Sequence, residues 1–286
     1  MTGTSPQPHS ILDPSAPSAP TSAPVPAYDA ETLAAVLAVL PDVDAVELKL
    51  TVPGADHRRV LDRLGIDALD ATIRQVAFLD TPALDLSAAG LVVRARRTQR
   101  KAGDVTAKVR PMLPADVPGR ARRADGFKVE VDASPAGFTC SCSSTRRLPD
   151  DDVRALLDDV GRLPGLLDRT QLSLLEPRLP AGVGFDDLLV LGPVTLLKAR
   201  FAPAGLPRPM TAELWFLPDG DRILELSAKA APAAAFQAAA ETKVFLASQG
   251  VDLGAPQETK TRAALAAYAT RVGTTRVGTT RVGTVR

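Results

Sequence analysis

Cationic residues recur at alternate positions along this chain, as Arg94 and Arg96, Lys108 and Arg110, then Lys198 and Arg200. Acids share the spacing: Glu47 stands with Lys49, Glu130 with Asp132, and Glu225 leads into Ser227 and Lys229. On an extended chain residues two apart share a face, so each set projects together. Any one such pair is ordinary, because an antiparallel sheet commonly turns a polar face to water. The recurrence is less ordinary, since like charges side by side on neighbouring strands are destabilising unless something compensates them. A polyanion gathered by the cations would supply that compensation.

The elements that must position these residues read as strands. Over 46–52, Glu47, Lys49 and Thr51 alternate with Val46, Leu48, Leu50 and Val52, the period of a half-buried strand. The same period runs through 75–80, 91–97, 105–110, 127–133, 194–201, 211–217 and 222–230, many of them set apart by turn formers such as Pro218, Asp219 and Gly220. Eight antiparallel strands suit a closed barrel or a sandwich. Closure with the charged face inward would bring Lys49, Arg94, Arg96, Lys108, Arg110, Lys198 and Arg200 around a tunnel, with Glu47, Glu130, Asp132 and Glu225 among them. Alternation equally allows that face to meet water, because it does not say which side is inside. Apolar residues at helical spacing appear over 31–40, 56–64, 150–163, 233–249 and 259–268, and all five are read as scaffolding. The fourth is expected on the outside of the barrel.

Composition removes several alternatives. With 34 basic and 33 acidic residues among 286, the chain has no net field to draw it to nucleic acid or to a membrane surface. Its 45% hydrophobic content supports a real core. No apolar run reaches the roughly 18 to 20 residues that span a bilayer, and no basic start precedes an apolar stretch, so a cytoplasmic location is expected. Cys140 and Cys142 read as free thiols in a reducing compartment. His9 and His57 are the only histidines, which leaves little material for a histidine triad or a zinc site. Neither a Gly-rich phosphate loop ending in Lys-Ser or Lys-Thr nor a dinucleotide fingerprint occurs. With one tryptophan, Trp215, read as a packing residue, and two tyrosines, the chain lacks a platform for stacking bases. Residues 1–27 form a Pro, Ser and Ala-rich arm expected to be disordered. Residues 270–286 repeat Arg-Val-Gly-Thr-Thr and are expected to form a flexible basic tail, which leaves 28–269 as the folded domain.

Several of these stretches, taken in order, resemble the CYTH, or triphosphate tunnel metalloenzyme, superfamily. Ala45-Val46-Glu47-Leu48-Lys49-Leu50 is similar to its first-strand Glu-x-Glu-x-Lys signature, and Phe78-Leu79-Asp80-Thr81-Pro82 to its Tyr-Phe-Asp-Thr element. Gly90 to Arg96, Thr106 to Arg110, Phe127 to Asp132 and Ile223 to Lys229 resemble the strands that follow, and the match runs from about Val43 to Ala269. The resemblance implies a mainly β fold with flanking helices, an eight-stranded antiparallel closed barrel, and a small-molecule triphosphate or polyphosphate held in its tunnel. It implies phosphate contacts from Lys49, Arg94, Arg96, Lys108, Arg110, Lys198 and Arg200. It further implies Mg²⁺ or Mn²⁺ on Glu47 and Glu225, with Glu130 and Asp132 as further carboxylates, and catalysis by Glu47, Lys49 and Glu225. Hard carboxylate oxygens suit such ions, and guanidinium forks suit phosphate. The activity implied is metal-dependent hydrolysis of inorganic, nucleoside or thiamine triphosphate. Adenylyl cyclase chemistry and binding without turnover are the alternatives. One departure bears on the metal: Ala45 stands where the signature has its first Glu, and Asp44, one residue away, belongs to the other strand face.

Overall fold

Valine and leucine at every second position of a strand need an apolar partner, and here they find it on the outside of a closed sheet. The computed structural model describes residues 29–279. Its nine strands are β1 (Ala45–Val52), β2 (Thr72–Asp80), β3 (Leu91–Thr98), β4 (Lys101–Val109), β5 (Phe127–Ser134), β6 (Gly137–Leu148), β7 (Leu189–Phe201), β8 (Met210–Phe216) and β9 (Arg222–Ala230). They close in the order β1-β5-β6-β4-β3-β2-β7-β8-β9. The closed barrel of the sequence reading is present, with one strand more than the eight expected. The added strand is β6, whose run of Ser, Thr and Cys gives no clear apolar alternation. The barrel is also not wholly antiparallel, since β1 runs parallel to β5, with Glu47 opposite Asp132.

The helices are α1 (Ala30–Val39), α2 (His57–Arg63), α3 (Asp85–Ala88), α4 (Asp150–Asp158), α5 (Leu163–Leu166), α6 (Arg169–Leu175), α7 (Ala235–Ser248) and α8 (Lys260–Thr279). Outward residues of β3, β4, β5 and β6 pack with Val153 and Leu156 of α4, with Leu174 and Leu175 of α6, and with Ala235 and Ala238 of α7 in the largest core. A second core sets Leu50, Val52, Leu224 and Leu226 against Val60 of α2 and Leu246 of α7. Full burial of each such valine or leucine contributes about 1.5–3 kcal/mol, which fixes the apolar face outward and the charged face inward. Gln171 clips this layer to the barrel, its Nε2 donating to the carbonyls of Val105 and Ser144. The helix expected over 150–163 is interrupted, with α4 ending at Asp158 and α5 starting at Leu163 across Gly161.

The last helix departs further from its reading. Read simply as scaffolding, α8 lays Ala264 and Leu265 against the inward residues Val76, Phe78, Leu196, Trp215 and Ile223. It also continues to Thr279, into the repeat where a flexible tail is expected. The arm at 1–27 and the end of the tail at 280–286 lie outside the described residues. No helix among the described residues is long and apolar enough to cross a membrane.

Candidate functional site in the barrel lumen

The register of the sheet decides which side chains meet inside. In β1 the buried residues are Val46, Leu48, Leu50 and Val52, while Ala45, Glu47, Lys49 and Thr51 between them stay partly open. Those four face the lumen. From them the pairings carry the inward face round the barrel, through Glu47 with Lys229, Glu213 with Glu225, Lys198 with Glu213, Val76 with Arg96, and Arg94 with Thr106. Gly90 helps set this register at the start of β3. It has φ +75°, and a Cβ there would stand 2.2 Å from the carbonyl oxygen of Arg110. Only glycine tolerates both demands.

Asp132 organises one charged cluster. Its two carboxylate oxygens accept from Lys49 Nζ at 2.7 Å and Lys108 Nζ at 3.0 Å, with Arg110 Nη1 at 3.9 Å. Glu47 reaches Lys49 from the other side at 3.2 Å. Burial alone would raise the Asp132 carboxyl, but the charges of Lys108 and Lys49 outweigh it and hold it well below the usual carboxylate range. Burial opposes the Lys49 ammonium in turn, and Asp132, Glu47 and Glu225 keep it above its ordinary value. For Lys108 burial wins, and its ammonium loses its proton more readily than a solvated lysine. Nearby, Glu130 is bound to Lys229 at 2.6 Å.

A second cluster lies on β7, β8, β9 and α8. Glu213 and Glu225, both buried, are direct cross-strand neighbours. Lys198 Nζ donates to Glu213 Oε1 at 2.7 Å, and Lys260, the first residue of α8, donates to Glu213 Oε2 and to Glu225 Oε1 at 2.7 Å. The Trp215 ring lies 5.4 Å from the Lys260 ammonium, and its Nε1 donates to Glu213 Oε2 at 3.3 Å. Burial pushes Lys260 down, but Glu225 and Glu213 more than reverse it. Glu213 is likewise disfavoured as an anion by burial and rescued by Lys260 and Lys198, which leaves it well below its ordinary value.

The wall made by β2, β3 and β4 is different. Arg96 is paired with Asp104, through Nε at 2.8 Å and Nη2 at 2.6 Å. Among the described residues Arg94 has a single side-chain bond, from Nη2 to Thr106 Oγ1 at 3.4 Å, and Arg74 has none. The Nε of each is buried without a partner, and neither forms an ion pair among the described residues. Burial, and then the neighbouring Arg96, lower the hold of both guanidinium groups on their protons. A guanidinium Nε taken out of water without a partner is costly, and an anion is the kind of group that would satisfy it.

The structure therefore gathers Glu47, Lys49, Arg94, Arg96, Lys108, Arg110, Glu130, Asp132, Lys198 and Glu225 on the inward face. Arg200 shares the inward register opposite Thr211 but is exposed, near the end of β7. Four lumen residues escaped the sequence reading of the site. Arg74 lies one residue before the stretch read as its strand, and Asp104 one before its own. Glu213 falls within the strand read over 211–217, but its cross-strand partner Glu225 cannot be known from spacing. Lys260 sits on a helix read as scaffolding. Trp215, read as packing, does pack, but inside the barrel.

The carboxylates expected to hold a divalent ion do not form a metal site in this arrangement. Each is tied to an ammonium: Glu47 to Lys49, Asp132 to Lys49 and Lys108, Glu130 to Lys229, and Glu225 to Lys260. Among the described residues no three carboxylate, thiol or imidazole side chains converge as a metal site would need. Asp44 does not replace the missing first Glu, because its carboxylate accepts the backbone N–H of Val129 at 2.7 Å.

No family model and no curated protein sequence matches the chain. Solved structures do. One, described as a "putative adenylate cyclase" from Bacillus halodurans, is 14% identical with a TM-score of 0.55, covering 77% of this chain and 97% of that one. Another, HpAC1 from Hippeastrum, described as a "putative adenylyl cyclase" with a dominant triphosphatase activity, is 15% identical with a TM-score of 0.56, over 77% and 94%. The likeness is one of fold.

Proposed function

We propose that this protein binds a triphosphate in its lumen, with the anion seated against Arg74, Arg94 and Arg96 and reached by Lys108. The observation that carries the reading is the pair of buried, partnerless Nε groups on Arg74 and Arg94. Guanidinium forks offer paired donors to phosphate oxygens, and a chain of phosphates matches cations laid along adjacent strands. A cavity of about 520 Å³, lined by Arg110, Thr139, Thr259 and Arg262 among others, lies beside Arg110. Inorganic triphosphate, nucleoside triphosphates and thiamine triphosphate all present the required group.

A second reading, hydrolysis of the bound triphosphate, is favoured by Glu47. Its one direct cation is Lys49 at 3.2 Å, and its side chain remains 21% open to the lumen. It could orient a water toward the bound chain. The dominant triphosphatase activity of the Hippeastrum protein, which shares the fold, agrees with this reading.

Titration calorimetry with inorganic triphosphate, ATP and thiamine triphosphate, followed by phosphate and pyrophosphate assays on the same samples, tests both readings. Saturable binding is expected for at least one of the three. Release of phosphate or pyrophosphate, abolished in Glu47→Gln, would establish turnover. Absence of binding to all three would overturn the proposal.

A further inference from the structure

We infer that Lys260 is a built-in counter-cation that takes the place of a divalent metal on Glu225, so that this lumen binds triphosphate without a metal ion. The inference rests on the triphosphate reading and adds to it the means by which the acids are neutralised. Glu213 and Glu225 stand directly opposite each other on β8 and β9, both buried. Two like charges in that position require compensation. Lys260 supplies it from outside the sheet, bridging Glu213 Oε2 and Glu225 Oε1 beneath the Trp215 ring.

The lysine is fixed in place rather than visiting. Gln257, three residues earlier, accepts the Thr51 N–H on Oε1 at 2.8 Å and donates from Nε2 to the Thr51 carbonyl at 3.3 Å. Thr51 Oγ1 donates to the Glu258 carbonyl at 3.0 Å. Beyond Lys260, Ala264 and Leu265 are buried in the apolar end of the lumen, and Tyr268 donates to the Pro193 carbonyl at 2.8 Å. The anchor thus extends on both sides of the cation. An ammonium has three donors and no acceptor; two are spent on Glu213 and Glu225, and the third is left for a ligand oxygen. Ala45 makes the same point on β1, the strand next to β9, since it faces the lumen opposite Glu130 and brings no carboxylate. A divalent ion would need several oxygen ligands, and here it would have to displace a tethered cation to obtain them.

The test uses the full chain and two probes. Mn²⁺ binding to the free protein is read by electron paramagnetic resonance. Inorganic triphosphate affinity is read by calorimetry in chelator and again in excess Mg²⁺. The wild-type protein is expected to leave Mn²⁺ free, and to bind triphosphate in chelator within about threefold of its affinity in Mg²⁺, a difference under the 1.4 kcal/mol of a tenfold change. Lys260→Met should gain Mn²⁺ binding and lose about tenfold or more of its triphosphate affinity in chelator, with recovery on adding metal. Lys260→Met, Glu213→Gln, which leaves one carboxylate instead of two, serves if the single variant does not fold, and the same chelator loss is expected of it. Stoichiometric Mn²⁺ uptake by the wild type, triphosphate binding only with metal, or unchanged chelator affinity in the folded variant would each overturn the inference. Lack of triphosphate binding in every condition would overturn the reading beneath it, while the Mn²⁺ measurement still decides whether the acids are available to a metal.

Discussion

Two walls of the same lumen carry the same residue types in opposite states. Along β1, β5, β8 and β9 the acids are matched: Asp132 with Lys49 and Lys108, Glu130 with Lys229, and Glu213 and Glu225 with Lys260. Along β2 and β3, Arg74 and Arg94 form no ion pair among the described residues, and the buried Nε of each lacks a partner. On the proposed reading, the difference separates holding the barrel from serving a ligand. A matched network satisfies itself and resists change, whereas an unmatched cation held in place by a rigid sheet is preorganised for an anion that must come from outside.

Removing a member of the matched wall should therefore damage the fold most. Asp132→Ala leaves Lys49 and Lys108 without their shared acceptor, and denaturant unfolding should show a loss of about 3–5 kcal/mol, the usual consequence of breaking a buried pair. Arg94→Met should do the reverse, keeping or raising stability while cutting triphosphate affinity about tenfold to a hundredfold. That is the range for a charged hydrogen-bonded contact worth roughly 1.5–3 kcal/mol. Equal losses of stability in the two variants would erase the distinction between the walls.

Acidity sharpens the comparison next. Burial holds Lys108 and Lys198 below the ordinary lysine value of 10.5. A bound polyanion favours their charged forms, so triphosphate affinity should fall as pH rises through the alkaline range below 10.5, with proton uptake on binding visible as a buffer-dependent heat. On the acid side, Asp132 and Glu213 are held below their ordinary values of 3.8 and 4.5. Their contribution to stability is complete above those values and is lost as pH falls through the lower values of the folded state, which an acid unfolding series would follow. The smallest effect belongs to Arg200, exposed near the end of β7. Arg200→Ala should change stability by less than about 0.5 kcal/mol and affinity by less than about threefold.

How much of this could be read beforehand follows from where the information resides. The inward set on β1, β3, β4, β5 and β9 was legible because period two puts Glu47 with Lys49, or Arg94 with Arg96, on one face whatever the sheet does. Which face turned inward was not, because that depends on Val153, Leu174 and Leu246 arriving from distant helices to cover the other one. The ninth strand was hidden because the polar residues of β6 alternate with cysteines and serines rather than with large apolar groups. The pairing state of each charge was equally out of reach. Glu213 meets Lys260 across 47 residues of chain and Lys49 meets Asp132 across 83, so spacing within either strand carries no trace of the contact. Alternation puts Glu225 on one face with Ser227 and Lys229, but could not show that its neighbour in the lumen is an ammonium on the last helix.

The most direct test of the account is calorimetric titration of inorganic triphosphate into the wild-type protein and Arg94→Met side by side, with thermal unfolding of both. The account predicts saturable one-to-one binding by the wild type, weakened about tenfold or more in the variant, whose unfolding temperature is unchanged or higher. Binding that is equal in the two proteins, or absent from the wild type, would contradict it.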